Sequence, residues 1–190
     1  LDMGNTDKLA DFRQDALRLG IEVVAPSVMT SFRNFEVGEN RIYYSLAALK
    51  GVGDAAVEHI VAMRGEKPFK NLADFCERVD PKIVGKRVFE SLIMAGALDC
   101  FGHDRAQMMA GVERMMGLAS LAQQNAVSGQ ADIFGASLGA QSQALNLPAT
   151  DPWLAADRLH REFQVVGFYL SAHPLDEYKA ALQKMRVQNW

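Results

Sequence analysis

The chain has 190 residues, 49% of them apolar and 23% charged, with a formal net charge of −3 at pH 7. These values are ordinary for one or two compact soluble units, and the length is sufficient to bury a core. Apolar runs such as Ile21–Ala25 are far too short to span a membrane, and the N-terminal residues resemble no signal peptide. We therefore expect a cytoplasmic protein without a membrane partner. Because the sequence has no initiator Met, we also expect a piece of a longer polypeptide.

The distribution of charge is uneven. Residues 41–90 hold nine Lys and Arg against seven Asp and Glu, whereas residues 1–40 and 91–190 both have an acidic excess. If the chain binds nucleic acid, it must therefore do so through local geometry and not through a broadly basic surface.

Metal and catalytic patterns are absent from the sequence. Cys76 and Cys100 are 24 positions apart, form no CxxC pattern and have no histidine pair nearby, so no zinc site or disulfide framework is predicted. Phosphoryl transfer by two metals needs clustered carboxylates, but the acidic residues here are dispersed over predicted helix caps and surfaces. We therefore predict no catalytic residue, metal or cofactor in this chain.

The N-terminal region has a mixed α/β pattern. Apolar residues at near-helical spacing predict a helix from Thr6 to Leu19, with Gly20 as its C-terminal cap. Ile21–Val24 is typical of a short buried strand, and residues 35–44 predict a β-hairpin around Gly38-Glu39-Asn40.

Everything after this region is helical in pattern, and helix starts are predicted from capping residues. The predicted starts are Asp54, Asn71, Asp80-Pro81, Gly85, Asp104 (opening one long helix through Leu121) and Asp151-Pro152. Gln123–Leu147 is rich in Gln, Asn, Ser, Gly and Ala without periodicity, which predicts a flexible segment. Leu175–Arg186 closes the chain as an amphipathic helix. The predicted fold class is mainly α, with a small N-terminal α/β part.

Leu46–Val57, the first hairpin, has the pattern apolar-x-x-apolar-x-Gly-apolar-Gly. Two helices are expected to meet across this turn. Gly51 and Gly53 leave its backbone open to a phosphate, and the N–H groups at the start of the second helix face the phosphate. Val52 is expected to anchor the turn and Lys50 to add a cation. The alternative is a tight turn that uses glycine for packing alone.

Leu92–Asp99, the second hairpin, has a helix running into Ala95-Gly96-Ala97, with Lys86 and Arg87 upstream, but lacks the second glycine. Two such units about 45 residues apart can grip both strands of duplex DNA. Since contacts to phosphates read no bases, we expect sequence-independent, salt-sensitive binding.

A short apolar motif interrupts the flexible segment at Gln130-Ala131-Asp132-Ile133-Phe134. Ile133 and Phe134 would enter an apolar cleft on a partner while Gln130 hydrogen-bonds at its mouth, with affinity on the order of micromolar. The alternative is that both apolar residues pack against the chain's own helices.

The combined motifs resemble the alpha subunit of bacterial replicative DNA polymerases of the C family. The segments that carry the resemblance are 43–53, 68–76, 92–99 and 167–176. The resemblance implies that residues 1–45 end the fingers domain, 46–122 form the tandem helix-hairpin-helix with a long helix, 123–147 carry the clamp-binding motif and 148–190 complete the clamp-binding domain. It implies that Gln130, Asp132, Ile133 and Phe134 bind the sliding clamp (the beta subunit).

The same resemblance implies that other holoenzyme subunits are partners, and that the carboxylates binding Mg²⁺ lie upstream in the palm domain. Two alternatives stay open. A structural scaffold would use both hairpins for packing only. A helix-hairpin-helix DNA glycosylase would need a lysine soon after the first hairpin, where Asp54-Ala55-Ala56 supplies none.

Overall fold

The computed structural model describes residues 6–128, 145–172 and 174–175. Within them the chain forms seven α-helices, one 3-10 helix and one three-stranded sheet. The helices are α1 (Thr6–Arg18), α2 (Asp54–Glu66), α3 (Leu72–Arg78), α4 (Lys86–Met94), α5 (Arg105–Ala110), α6 (Val112–Ser128) and α7 (Ala155–Val166), with the 3-10 turn at Asp99–Phe101. The predicted fold class, mainly α with a small N-terminal α/β part, is confirmed.

The N-terminal sheet follows α1. This helix ends at Arg18, and Gly20, two residues later, has a φ of +73°. β1 (Glu22–Val24) runs parallel to β3 (Arg41–Tyr43), and β2 (Glu36–Gly38) pairs with β3 in antiparallel register. The predicted β-hairpin is therefore confirmed. β1 was predicted to be buried but is only half-buried, because it is an edge strand of the sheet.

Several helix caps agree with the sequence. The Asn71 side chain accepts a hydrogen bond from the Asp74 N–H at 2.9 Å, and the Asp104 side chain accepts one from the Ala106 N–H at 2.7 Å. Gly85 precedes α4 as predicted. The prediction of Asp54 as a cap is wrong: Gly53 takes that position, and the Asp54 carboxylate instead pairs with a distant arginine, Arg33.

The two proline-marked helix starts are also displaced. Asp80-Pro81 begins a single turn, in which the N–H groups of Ile83 and Val84 both donate to Asp80 O, before α4 starts afresh. The last described helix begins at Ala155 and not at Pro152. In the segment before it, the Trp153 ring lies under the Arg161 guanidinium, with 4.4 Å between the ring centroid and Cζ, and packs against the core.

The predicted long helix is divided into α5 and α6 at Gly111. A Cβ on this glycine would lie 2.5 Å from Leu147 Cδ2, so the returning chain packs directly on the break. The predicted flexible segment is too long at both ends, since α6 extends to Ser128 and Leu145 and Leu147 pack against the core. Residues 129–144 and the predicted helix after Leu175 lie outside the described residues.

One apolar core joins the described parts of the chain. It extends from Val28 to Leu170 and includes a chain of aromatic contacts among Phe69, Phe75 and Phe89. Backbone hydrogen bonds also link early and late residues, as from Val28 N–H to Ala97 O at 3.0 Å. The division into four domains stays a prediction. No helix in the described ranges is both long and apolar enough to cross a membrane.

Candidate nucleic-acid interface

The first hairpin is held by three buried side chains, Leu46, Leu49 and Val52. Its leading arm consists of turns and not of the predicted helix, with hydrogen bonds from Leu49 N–H to Leu46 O and from Val52 N–H to Leu49 O. The burial of Val52 confirms that it anchors the turn.

The two glycines of the first hairpin have different surroundings. Gly51 has a φ of +88°, and a Cβ there would lie 2.7 Å from Ser91 Oγ and 3.3 Å from Arg87 Nε. Glycine is therefore required at position 51 by the close approach of α4 as well as by backbone conformation. Gly53 is exposed, has an ordinary φ of −81° and has nothing within 4 Å of its Cβ position. Only Gly53 leaves open space in front of the backbone.

Unpaired N–H groups mark the start of α2. Within the described residues, the N–H groups of Gly53, Asp54 and Ala55 donate to no protein acceptor, and all three residues are exposed. The helix dipole adds partial positive charge at this end. In contrast, the N–H groups of Lys50 and Val52 are taken by Val165 O and Leu49 O. The Gly51 N–H also donates to no protein acceptor among the described residues. An anion could therefore be bound by residues 53–55, with Gly51 as a further donor, but not by the N–H groups of Lys50 and Val52.

Two of the three predicted cations lie free beside this turn. Lys50 and Arg87 are exposed, and neither side chain has a hydrogen bond or ion pair with another described residue. The N–H groups of Lys86 and Arg87, at the start of α4, also lack a protein acceptor in the described ranges. Lys86 differs, since its Nζ lies 2.5 Å from Glu113 Oε1, and this hydrogen bond raises the pKa of the ammonium group.

The second hairpin is closed to a ligand at its turn. The N–H groups of Ala95, Gly96 and Ala97 donate to Ser91 O, Ile93 O and Leu92 O, and both alanines are buried. Gly96 has a φ of +77°, and a Cβ there would collide with the Arg105 guanidinium. This turn ends α4, and its three N–H groups are satisfied within the protein. A phosphate-binding role for Ala95, Gly96 and Ala97 stays a prediction, and none of their three N–H groups is free to donate to a phosphate.

A polar network absent from the sequence predictions covers the second hairpin. Arg105 donates through Nε and Nη2 to the Asp99 carboxylate, at 2.6–3.0 Å, and through Nη1 to Met94 O at 3.2 Å. Its Nη1 also lies 3.7 Å from Oε2 of Glu162, which is 1% exposed. Glu162 Oε1 accepts hydrogen bonds from the N–H groups of Leu170 and Ser171, both at 2.8 Å. This network ties the second hairpin to the C-terminal end of α7.

An open cleft of about 360 Å³ lies beside this network. Its lining includes Asp99, Asp104, Arg105 and Arg158, so positive and negative side chains face it together. The predicted clamp-binding residues, Gln130–Phe134, lie outside the described residues. Within the described ranges, no group of three or more His, Cys, Asp or Glu side chains is placed to hold a metal ion.

Comparison with known proteins finds similarity in the region of both hairpins. Residues 20–108 match the family model described as "Helix-hairpin-helix motif", a range that includes both hairpins. Three curated relatives carry the name DNA polymerase III subunit alpha. That of Caulobacter vibrioides is 42% identical over 98% of this chain, that of Vibrio cholerae 40% over 96%, and that of Haemophilus influenzae 37% over 93%.

The chain is a relative of these alpha subunits. The predicted resemblance is thereby confirmed, and it covers nearly the whole chain. The chain spans 16% of the length of each of these three relatives.

Proposed function

We propose that this chain is a non-catalytic part of a replicative DNA polymerase that holds duplex DNA through phosphate contacts at the first hairpin. The observation that carries the proposal is the exposed start of α2, where the N–H groups of residues 53–55 are unpaired. Lys50 and Arg87 lie beside the same turn without carboxylate partners among the described residues.

Each component of this site suits a phosphate. A helix N-terminus with free N–H groups binds anions through hydrogen bonds and the dipole, and flexible cations add charge beside it. Because such contacts reach the DNA backbone and not the base edges, binding is independent of sequence and weakens steeply with salt. A polymerase that moves along DNA needs contacts of this kind.

For the second hairpin, the packing alternative has its own support. The Gly96 turn has no free N–H group, and Arg105 fills the space that its missing side chain leaves. We propose that this hairpin acts as a scaffold, and that its contribution to DNA binding is limited to the start of α4.

Duplex binding is tested by a titration of a fluorescent 20-base-pair duplex, followed by anisotropy at several salt concentrations. We expect Lys50→Gln and Arg87→Gln each to reduce the slope of log affinity against log salt by about 1, since each removes one phosphate contact. The matched control is Lys67→Gln, because Lys67 is an exposed lysine at the opposite end of α2. Equal slopes for all three variants would contradict the proposed site.

The second part of the proposal is docking to the sliding clamp through Gln130-Ala131-Asp132-Ile133-Phe134. It is supported by the pattern of two adjacent apolar residues in a polar stretch and by the relationship to polymerase alpha subunits. DNA synthesis itself, with its Mg²⁺ ions, would belong to other parts of the longer polypeptide. The remaining holoenzyme subunits would be further partners in the cytoplasm.

Clamp docking is tested by calorimetric titration of the chain with a bacterial sliding clamp. We expect a dissociation constant on the order of micromolar, because two buried apolar side chains provide most of the free energy. Binding should be lost when Ile133 and Phe134 are both changed to Ala. Leu138→Ala, an apolar truncation close to the motif, should have no effect. Binding that survives the double substitution would exclude the motif.

A further inference from the structure

A surface ion pair lies directly at the start of α2. Arg33 Nη2 donates to Asp54 Oδ2 at 2.7 Å, and the two side chains are 52% and 56% exposed. Asp54 is the first residue of α2 and carries one of the unpaired N–H groups of the proposed phosphate site. The Arg33 guanidinium therefore contacts the side chain of a residue that carries one of these N–H donors.

The backbone of Arg33 is fixed to the first hairpin. Arg33 O accepts a hydrogen bond from the hydroxyl of the buried Ser45, and Ser45 Oγ accepts one from the Ala48 N–H at 3.1 Å. The neighbouring Phe32 O accepts from the Leu46 N–H at 2.9 Å. These bonds hold the backbone of residues 32–33 against the turn, and the bond to Asp54 holds the guanidinium at the start of α2.

A carboxylate at this position presents an electrostatic conflict for DNA binding. The hydrogen bond from Arg33 lowers the pKa of Asp54, so this side chain is negatively charged at neutral pH. A negative charge beside a phosphate is unfavourable unless a cation compensates it. Arginine carries five N–H donors, and Arg33 uses one of them in its hydrogen bonds within the described residues. The same guanidinium can therefore bind Asp54 and a phosphate together.

We propose that Arg33 is a further phosphate-binding residue of the first hairpin, and that Asp54 positions its guanidinium at the start of α2. The ligand is a phosphodiester of duplex DNA, and the inference rests on the proposed function. The DNA-binding surface then includes a residue from the segment before the hairpin, which the hairpin motif alone does not mark.

The competing explanation is that Arg33 only neutralises Asp54. A double-mutant cycle separates the two explanations, because Asp54→Asn removes the charge to be neutralised. If Arg33 contacts phosphate, Arg33→Gln still weakens binding in the Asp54→Asn background. If Arg33 serves Asp54 alone, Arg33→Gln has no further effect there.

The matched control is another exposed ion pair of the N-terminal region, Arg41–Glu22. Arg41 Nε lies 2.9 Å from Glu22 Oε2, with exposures of 57% and 60%, but in the small sheet. Arg41→Gln in the Glu22→Asn background changes charge in the same way as the test pair. It therefore reports the effect of net charge alone on duplex affinity.

The experiment is a salt-dependent anisotropy titration of a 20-base-pair duplex with the whole 190-residue chain and these variants. Relative to the Asp54→Asn chain, the double variant should bind about tenfold more weakly, with a salt slope lower by about 1. The Arg41 control should change the affinity and the salt slope by less than half of these amounts. Circular dichroism of each variant checks that the exposed substitutions leave the fold unchanged.

The outcomes distinguish this inference from the proposed function. A loss confined to the Arg33 pair supports Arg33 as a phosphate ligand. Equal losses in the Arg33 and Arg41 pairs, or none in either, overturn it. If Lys50→Gln lowers the salt slope while Arg33→Gln in the Asp54→Asn background does not, the inference fails and the hairpin site stands. If the wild-type chain binds no duplex at low salt, both the proposed function and this inference fail.

Discussion

At the scale of single residues, Tyr44 buries a hydroxyl that has no hydrogen-bond partner among the described residues. Its ring makes edge contacts with Phe35 and Phe168, and burial raises the pKa of the phenol well above its ordinary value. Tyr44 is one of the residues that line an open apolar cavity of about 250 Å³ beside α1 and the sheet. The ring therefore contributes packing, whereas the hydroxyl carries a desolvation cost.

Tyr44→Phe should leave the free energy of unfolding unchanged or raise it by up to about 1 kcal/mol, because it removes an unsatisfied buried group and keeps the ring. Urea denaturation of the two chains measures the difference. Tyr43→Phe, at a half-buried position, is the matched control and should be neutral. A loss of more than about 1 kcal/mol for Tyr44→Phe would mean that the hydroxyl has a partner.

At the scale of elements, the turn before α2 uses two glycines for different purposes. Gly51 allows α4 to approach and has a positive φ, whereas Gly53 is the exposed N-terminal cap of α2. A bulky substitution at Gly51 would therefore disturb the packing of the hairpin on α4 before it blocked any phosphate. Gly53 is the better position at which to test DNA contact.

Gly51→Ala should lower the free energy of unfolding by at least about 1 kcal/mol, since alanine is strained at this φ and its Cβ meets Ser91. Gly53→Ala should change it by less than about 0.5 kcal/mol, because the weaker cap is offset by a less flexible unfolded chain. Thermal or urea unfolding measures both. Equal losses at the two positions would contradict the different roles.

The elements that could be predicted from sequence are those set by local chemistry. Asn71 and Asp104 cap helices with their own side chains, and Gly20 follows the last turn of α1. The predictions were wrong at residues whose structure depends on a contact with a residue far away in the sequence. Asp54 pairs with Arg33 in place of capping, and Leu147 packs on the break at Gly111.

The candidate site shows the same division. The spacing of Lys50-Gly51-Val52-Gly53 predicted the turn and its buried anchor correctly, because these features depend on neighbouring residues. The helix expected before the turn was wrong, since Ser45 and Val165 instead accept hydrogen bonds from this stretch. The Arg105–Glu162 contact joins residues far apart in sequence and has no local signal.

At the scale of the whole molecule, the Arg105–Glu162 contact joins two parts of the fold that are far apart in the sequence. Glu162 is buried, and its carboxylate accepts two backbone hydrogen bonds while facing Arg105. Glu162→Ala should therefore lower the free energy of unfolding by about 3 kcal/mol, because it leaves a cation and two N–H groups without this acceptor.

Glu162→Gln keeps an acceptor oxygen for the two N–H groups, so it should lower the free energy of unfolding less than Glu162→Ala does. Urea denaturation of both variants measures the order. Equal stability of the Ala and Gln variants would show that charge alone matters at this position. Wild-type stability of the Ala variant would exclude a structural role for the network.

Hydrogen bonds link the residues before the predicted domain boundary at Ser45 to the residues after it, and this limits where the chain can be shortened. Val28, Tyr44 and Ser45 are buried against residues that follow, and Arg64 donates to Val28 O and Ser31 O. Cutting the chain after Ser45 would expose apolar surface and strip those donors of their acceptors. A minimal expression product that retains the hairpin in its observed form therefore has to start before Val28.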